Sequence, residues 1–359
     1  MIISRTLIIR TLMVIFWMGI ISAYLYTGRV VKYFKPAQSI NVFMWSGVID
    51  PKMFQKFKEE TGIHVNVSYY EGNEELLVKL LATKARGYDM VVPSDYVVQF
   101  LVKHDLLHTI DRSKLDFWNA LNPKFMGHYF DPHNKYSIPA EWYLEGLGVN
   151  TEHFKEGELP EASWASIFDP EKTPDHIGLF NDSRELSGLA VKYLYGKLRT
   201  INAQEVQEVK KLLQEQKKKV EAYTDFRGDF LLESGNCSLV TAPTSFWKTL
   251  RDNPNIIYLI PKEGTFLNLE NYVIPKPSQK ADLVYKFWNF LFRLDVQEHN
   301  FNYGIFLSTR KDAGFMFDID LLKTSTQLIH PDVVEQAEMF ENKLTDEQIN
   351  EIWLGVKGS

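Results

Sequence analysis

The stretch IHVNVSYYEGNEELLVKLLATKARGYDMVVP, residues 63–93, decides the class of fold. IHVNVSYY alternates apolar and polar residues with a period of two, which predicts a strand. NEELLVKLLATKARG carries apolar residues at helical spacing, which predicts a helix that Asn73 caps and Gly87 stops. The apolar run YDMVVP predicts a second, buried strand. A strand, a helix and a strand in this order predict two parallel strands joined by a helical crossover.

The same order continues on both sides of this stretch. INVFMW predicts a preceding strand, and PKMFQKFKEETG predicts an amphipathic helix with Pro51 in its first turn and Gly62 as its stop. The pattern returns from about residue 177 with IGLF, a helix, CSLVTA and IIYLIP. Between the two runs lies the strand-rich connector YSIPAEWYLEGLGVN. Because 359 residues exceed what one core usually supports, the chain predicts two α/β lobes.

The N-terminal segment has the layout of an export signal. TLMVIFWMGIISAYLY, residues 11–26, is apolar and uncharged, and Arg5 and Arg10 precede it. We therefore expect residues 1–30 to be a signal peptide or a signal anchor, and the protein to be exported to the periplasm. An uncleaved helix would tether it to the inner membrane. The competing interpretation is a buried N-terminal helix of a cytoplasmic protein.

Charge and cysteine content narrow the classes of partner. The formal net charge is −6, and because the first 36 residues carry +5, the remainder carries −11. An acidic body disfavours nucleic acid and favours cationic partners. The single cysteine, Cys237, excludes an intrachain disulfide and a cysteine-rich zinc site. Aromatic residues make up 14% of the chain, which suits a site that grips a cation.

Ligands of open α/β sheets bind beyond the carboxyl ends of the strands. Three such ends, FMWSG, VVPSDY and LFNDSRE, supply Trp45, Ser94, Tyr96, Asp182 and Glu185. Aromatic rings together with carboxylates indicate a cationic ligand. Asp182 and Glu185 also have the spacing of a capping box, so a role as a simple helix start stays open.

Several ordered motifs resemble those of the spermidine/putrescine-binding proteins of bacterial ABC importers. They are TGIHVNVSYYEGNEELLVKL, GYDMVVPSDYVV, HTIDRSKL, DPHNKYSIPAEW with LGVN, NDSRE, IPKEGTF and FWNFLFRLDV. Together these motifs cover nearly all of residues 39–310.

The resemblance implies an α/β, two-lobed periplasmic-binding-protein type II fold. Each lobe would be a mixed, mostly parallel sheet flanked by helices, with a hinge of crossing strands between them. Lobe 1 would comprise residues 38–146 and 273–313, and lobe 2 residues 147–272 and 314–359. The resemblance also implies a monomer that closes on a small-molecule polyamine and is recognised by the permease subunits of an ABC importer. It implies no catalytic residue, cofactor, metal or nucleic acid.

The resemblance further implies a set of ligand-binding residues, namely Trp45, Ser46, Ser94, Tyr96, Trp142, Asp182, Glu185 and Glu270. Trp45 would pack on the aliphatic chain of the polyamine. Asp182 and Glu185 would hold ammonium groups, and Glu270 keeps the charge where the family usually has Asp. Trp142 would supply an aromatic ring at the hinge.

Some positions depart from the family pattern. Gly47 and Val48 stand where polyamine binders usually have an acid and a tyrosine, Pro243 and Asn268 stand near expected tryptophans, and Ile305 replaces a tyrosine. The aromatic part of the site is therefore thinned, while its anionic part largely survives.

Two further acids, Glu141 and Glu145, lie in the connector and could compensate for the thinned site. We slightly favour the alternative, in which both are solvated residues on the surface of the hinge.

Three other functions compete with the polyamine receptor. The same fold could bind another small cationic or amine solute, or it could serve as a membrane-tethered ligand sensor. An enzyme is the third alternative. His104 and His108 have the i, i+4 spacing of a metal pair on a helix, but no third ligand accompanies them. We favour an exposed helix end for these two histidines.

Overall fold

The computed structural model describes residues 13–22, 38–224, 227–244, 252–303, 307–314, 331–341 and 343–358. Its strands are β1 Ser39–Trp45, β2 His64–Tyr70, β3 Met90–Val91, β4 Ser137–Asn150, β5 Ile177–Leu179, β6 Val220–Tyr223, β7 Leu239–Pro243, β8 Ile256–Leu259, β9 Phe266–Val273, β10 Leu307–Ser308 and β11 Glu338–Met339. Its helices after residue 38 are α1 Pro51–Thr61, α2 Asn73–Thr83, α3 Asp95–Lys103, α4 Ala165–Phe168, α5 Ser183–Tyr195, α6 Ala203–Lys217, α7 Gly228–Glu233, α8 Ala281–Leu291, α9 Leu294–Tyr303, α10 Pro331–Gln336 and α11 Asp346–Lys357.

The strands follow the order β2-β1-β3-β9-β4-β7-β5-β6. β1 pairs in parallel with β2 and β3, as the βαβαβ pattern predicts, and β5 pairs in parallel with β6 and β7. The antiparallel pairs lie in the middle, where β9 joins β3 to β4 and β4 continues to β7. The predicted α/β class with mixed sheets flanked by helices is confirmed. We call the part built on β1–β3 and β9 lobe 1, and the part built on β5–β7 lobe 2.

The connector predicted between the lobes is one strand, β4, of 14 residues, all of them buried. From Ser137 to Leu144 it pairs with β9, and from Glu145 to Asn150 it pairs with β7 and β8. A strand that changes partners along its length belongs to both lobes, so it places its middle residues at the floor of the cleft between them.

The helix boundaries follow local capping chemistry. α1 begins after Asp50, whose carboxylate accepts from the backbone N–H of Lys52, and it ends at Gly62, where φ is +72°. Both ends agree with the sequence prediction. Pro51 lies in the first turn, and Gly62 stops the helix because a left-handed C-cap favours glycine.

The predicted ends of α2 are wrong at both termini. Gly72 is the N-cap, and Asn73 is the first helical residue. The amide of Asn73 donates instead to Ser94 Oγ, at 3.1 Å. The helix ends at Thr83, because Lys84 and Ala85 adopt left-handed conformations with φ of 52° and 56°.

Behind the cleft, α8 packs its apolar face against lobe 1. Phe287 contacts Phe57 of α1 with ring centroids 4.9 Å apart, and Trp288 stacks on Tyr272 of β9 at 6.3 Å. This packing holds β9, which carries Glu270, against the helices of lobe 1.

Of the predicted N-terminal signal, the structure describes residues 13–22, which are helical and have exposed side chains. The rest of residues 1–30 lies outside the described residues. Across the described ranges, none of the helices combines the length and apolar character that a membrane crossing requires.

Candidate ligand-binding cleft

Two side chains of lobe 1 donate hydrogen bonds to the carboxylate of Glu270, which lies on β9. Trp45 at the end of β1 donates its indole N–H to Glu270 Oε2 at 2.8 Å, and Ser94 donates its hydroxyl to Oε1 at 2.7 Å. The indole of Trp45 also packs against Tyr70, with ring centroids 4.4 Å apart. One carboxylate is thus held beside an aromatic wall, as the sequence predicts for a cation site.

Asp182 at the start of α5 accepts hydrogen bonds from residues of both lobes. Its Oδ1 accepts from the backbone N–H groups of Arg184 and Glu185, at 2.8 and 3.1 Å, so Asp182 is the N-cap of α5. Its Oδ2 accepts from the hydroxyl of Tyr96, at 2.6 Å. Since Tyr96 lies on α3 of lobe 1, Asp182 is a helix cap and a contact between the lobes at the same time.

A second contact between the lobes runs through Arg184. Its guanidinium donates to Glu74 of α2 at 3.3 Å and to Asp346 of α11 at 2.9 Å. The same group lies 5.4 Å from the centre of the Tyr96 ring, within cation–π distance. The two lobes therefore meet at the mouth of the cleft through polar and charged side chains.

The middle of β4 lines the floor of the cleft with every second residue. Glu141 lies opposite Glu270 in the register, and Tyr143 lies opposite Asn268. The hydroxyl of Tyr143 donates to Glu185 Oε1 at 3.3 Å. Because side chains alternate along a strand, Glu145 points to the same face of the sheet.

The structure does not support a solvated position for Glu141 and Glu145. Their relative exposures are 5% and 0%; Glu141 lies between β9 and β10, and Glu145 pairs with β7. The favoured interpretation as hinge surface was therefore wrong.

Trp142 lies on the opposite face of β4 and does not join the acids. It stacks on Phe125 with ring centroids 5.5 Å apart and donates its indole N–H to the carbonyl of Ser308 at 2.9 Å. Tyr143 occupies the cleft-facing position next to it.

Burial dominates the electrostatics of the cleft. It raises the pKa of Glu270 to about 8, although the hydrogen bonds from Ser94 and Trp45 act in the opposite direction. Burial likewise raises the pKa of Glu145 and of Asp95 to about 8, and that of Glu141 well above its ordinary value. Carboxyl groups in such a setting gain from any cation that enters, because it relieves the cost of their charged forms.

Two residues that the sequence analysis did not consider, Asp95 and Tyr143, lie close to the acids of the cleft, as does Glu145, which the sequence analysis slightly favoured as hinge surface. For Tyr143 and Glu145 the available signal is the period-two alternation of β4 beginning at Glu141. Asp95 is 1% exposed and is the first residue of α3. Nothing in the sequence distinguishes it from an ordinary acid in the first turn of a helix.

The predicted site residue Ser46 and the positions that depart from the family pattern have local surroundings of their own. Ser46, predicted in the site, is exposed in the turn after β1, and Gly47 in the same turn has a φ of +82°. Val48 is fully buried in the core. Asn268 donates its amide to Glu145 Oε1 at 2.6 Å. Ile305 lies outside the described residues.

His104 and His108, whose spacing could suit a metal pair, each contact other residues. His104 packs against Phe100 with ring centroids 4.2 Å apart, and His108 Nε2 lies 3.0 Å from the carbonyl oxygen of Ser278. Within the part of the chain that the structure describes, no group of three or more His, Cys, Asp or Glu side chains could hold a metal ion.

Comparison with known proteins connects this cleft to a family. Residues 52–315 match the family model described as bacterial extracellular solute-binding protein. The chain is 30% identical over 259 residues to the spermidine/putrescine-binding periplasmic protein of Salmonella typhimurium, covering 71% of this chain and 72% of that protein. It is 27% identical over 336 residues to the putrescine/cadaverine-binding protein of Pseudomonas aeruginosa, covering 89% and 94%.

Solved structures share the architecture. One from Listeria monocytogenes, provisionally named as a spermidine/putrescine ABC transporter, superimposes with a TM-score of 0.79 at 28% identity and covers 89% of this chain and 99% of that one. The spermidine/putrescine ABC transporter substrate-binding protein of Streptococcus pneumoniae gives a TM-score of 0.73 at 24% identity, with the same coverage. These likenesses confirm the two-lobed fold.

Proposed function

The chain belongs to the family of bacterial extracellular solute-binding proteins, and from that premise we propose that it binds a polyamine and delivers it to the permease of an ABC importer. The observation that carries the proposal is the presence of buried carboxylates from both lobes beside aromatic rings in one cleft. Glu270 lies beside Trp45 in lobe 1, and Asp182 of lobe 2 accepts from the hydroxyl of Tyr96 of lobe 1.

The geometry suits a flexible chain with a charge at each end. One ammonium group would bind Glu270, and the other would bind Asp182 and Glu185. The methylene chain would lie against Trp45 and the ring of Tyr143. Because these groups are buried, charge-assisted hydrogen bonds and cation–π contacts are stronger here than at an exposed surface.

Closure of the lobes would couple binding to delivery. The Tyr96–Asp182 and Arg184–Glu74 contacts join the lobes across the cleft. A ligand that binds this closed arrangement more tightly than an open one shifts the population toward it. The closed surface would then be what the permease subunits recognise. The proposal needs no bond to be made or broken.

The proposed location is the periplasm, with the protein acting as a monomer. Relatives carry the name periplasmic protein, and the basic and apolar character of residues 1–30 suits export. An uncleaved segment would leave the receptor attached to the inner membrane, which would also suit a ligand sensor.

A second candidate is a receptor for another small amine. It is favoured by Asn268 and by Gly47 and Val48, which stand where polyamine binders usually have aromatic or acidic side chains. Both candidates share the same carboxylates, so a panel of amines separates them.

The test is calorimetric titration of the full chain with putrescine, cadaverine, spermidine and spermine, for wild type and for Asp182→Asn. Asparagine still caps a helix, so this change removes charge while keeping the start of α5. We expect it to weaken binding about 100-fold, since it removes one partner of a buried charge pair. Asp111→Asn, a cap substitution on an exposed carboxylate, should leave affinity unchanged. A folded wild type that binds none of the four amines would refute polyamine specificity.

A further inference from the structure

The acid Glu145 is oriented by one hydrogen bond and has no cationic partner among the described residues. It is fully buried on β4, and its Oε1 accepts from the amide of Asn268 at 2.6 Å. Among the residues that the structure describes, no donor forms a hydrogen bond with its other oxygen, Oε2. Buried polar atoms are rarely left in this condition, so such an atom requires an explanation.

The surroundings of Glu145 are anionic and aromatic. The charges of Asp182 and Asp95 act on its carboxyl, and Tyr143 stands two residues earlier on the same face of β4. No lysine or arginine forms an ion pair with Glu145 within the described ranges. Among the described residues, the bond from Asn268 offsets only part of the burial of this carboxyl, which lies among the acids of the cleft.

We propose that Glu145 anchors a third cationic nitrogen of the ligand, so that the receptor selects a polyamine with an internal ammonium group over a simple diamine. This inference rests on the proposed function and names a specificity residue within it. Asn268 acts as the positioning residue, because its bond to Oε1 leaves Oε2 directed at the ligand.

The number of ammonium groups in the ligand distinguishes triamines from diamines at this site. A diamine places its ammonium groups at the two ends of the cleft, on Glu270 and on the Asp182–Glu185 pair. Glu145 would then stay buried without a cation. A triamine such as spermidine also carries a secondary ammonium with two N–H donors, one of which can bind Oε2. Discrimination of this kind is strong when a site would otherwise keep an unpaired buried polar group.

The test compares spermidine with putrescine, which share a tetramethylene diamine unit, on the full chain by calorimetry. Wild type should bind spermidine at least about tenfold more tightly than putrescine. Glu145→Gln keeps the size and the acceptor for Asn268 but removes the charge. It should abolish this preference while changing putrescine affinity by less than about threefold.

Glu141→Gln is the matched control, because it removes another buried acid from the same face of β4, whose Oε2 likewise has no hydrogen-bond partner among the described residues. The groups beside the Glu141 carboxyl are Glu270 and Tyr272, at the end of the cleft where both amines place a terminal ammonium, so this variant should change both affinities by the same factor. Thermal unfolding of each variant verifies the fold.

The outcomes separate the inference from the proposed function. If wild type binds polyamines but Glu145→Gln keeps the spermidine preference, or weakens both amines equally, the role of Glu145 is refuted and the polyamine receptor stands. If folded wild type binds neither amine, the proposed function fails, and the inference fails with it.

Discussion

At the scale of single residues, Gly146 is constrained by its neighbour across the sheet. A Cβ atom there would lie 2.6 Å from the ring of Tyr258 and 2.7 Å from the carbonyl oxygen of Leu259. Gly146→Ala should lower the free energy of unfolding by about 2 kcal/mol, as overpacking in a core usually does. Urea denaturation followed by fluorescence measures this loss. Gly314→Ala, with open space around its Cβ, is the control, and an equal loss in both variants would contradict the argument.

The site residues themselves were only partly predictable from sequence. Asp182 matches both a cap and a ligand contact, and the structure gives it a helix cap and a cross-cleft hydrogen bond at once. Local spacing cannot distinguish these roles, because both need a carboxylate at a helix start. The ligand roles of the predicted residues stay predictions. Trp142 and Ser46 are the two that the structure places away from the acids.

At the scale of elements, α5 offers a way to separate capping from binding. Asp182→Ala removes the acceptor for two backbone N–H groups, so it should lower the free energy of unfolding by about 1 kcal/mol. Asp182→Asn should stay within about 0.5 kcal/mol of wild type, since asparagine caps equally well. Chemical denaturation of the two variants measures the difference. Equal losses would mean that the cap contributes nothing and that charge alone matters.

The elements were predicted where side-chain periodicity and terminal chemistry agree. The strands flanking α1 and the stop at Gly62 follow from alternation and a left-handed cap. The end of α2 was missed because Lys84 and Ala85 take left-handed conformations without being glycine. The sequence showed this region only as rich in strand residues and did not give the full extent of β4, because its partners in β7 and β9 lie at least 90 residues away along the chain.

At the scale of the whole molecule, the buried acids predict a dependence of closure on pH. Glu270, Glu145 and Asp95 each have a pKa of about 8 here, above their ordinary values, so the folded, closed form holds protons that exposed carboxyls release. Their contribution to stability is therefore present at low pH and is lost as the pH rises toward about 8. We expect the cleft to open, and the thermal midpoint to fall, as the pH rises from about 4 to about 8, with little further change above that.

Small-angle scattering of wild type without added amine measures the opening as an increase in the radius of gyration. The double variant Glu145→Gln with Glu270→Gln should show a weaker dependence. A radius of gyration that is independent of pH in wild type would contradict the assignment.

The contact of Arg184 with both lobes predicts a kinetic effect. Arg184→Ala removes the bond to Glu74 across the cleft, and it should accelerate polyamine dissociation by about threefold, a value typical of partly exposed ion pairs. Stopped-flow fluorescence of Trp45 measures the rate of polyamine dissociation. Arg199→Ala, which removes an ion pair to Glu205 inside lobe 2, is the control. Identical rates in both variants would show that Arg184 does not hold the lobes together.

The exact division into lobes at residues 146/147 and 272/273 stays a prediction. The strand order places β9 and β4 side by side at the centre, which fits a hinge of crossing strands.

The sharing of β4 between the lobes also bears on how the protein reaches its final compartment. The contact between Trp45 and Glu270 joins residues 225 apart in the sequence, so it can form only after both segments have been synthesised. A topology dominated by distant pairings folds slowly. If the chain is exported as we propose, slow pairing of its distant strands would delay folding and so leave time for a secretion channel to thread it.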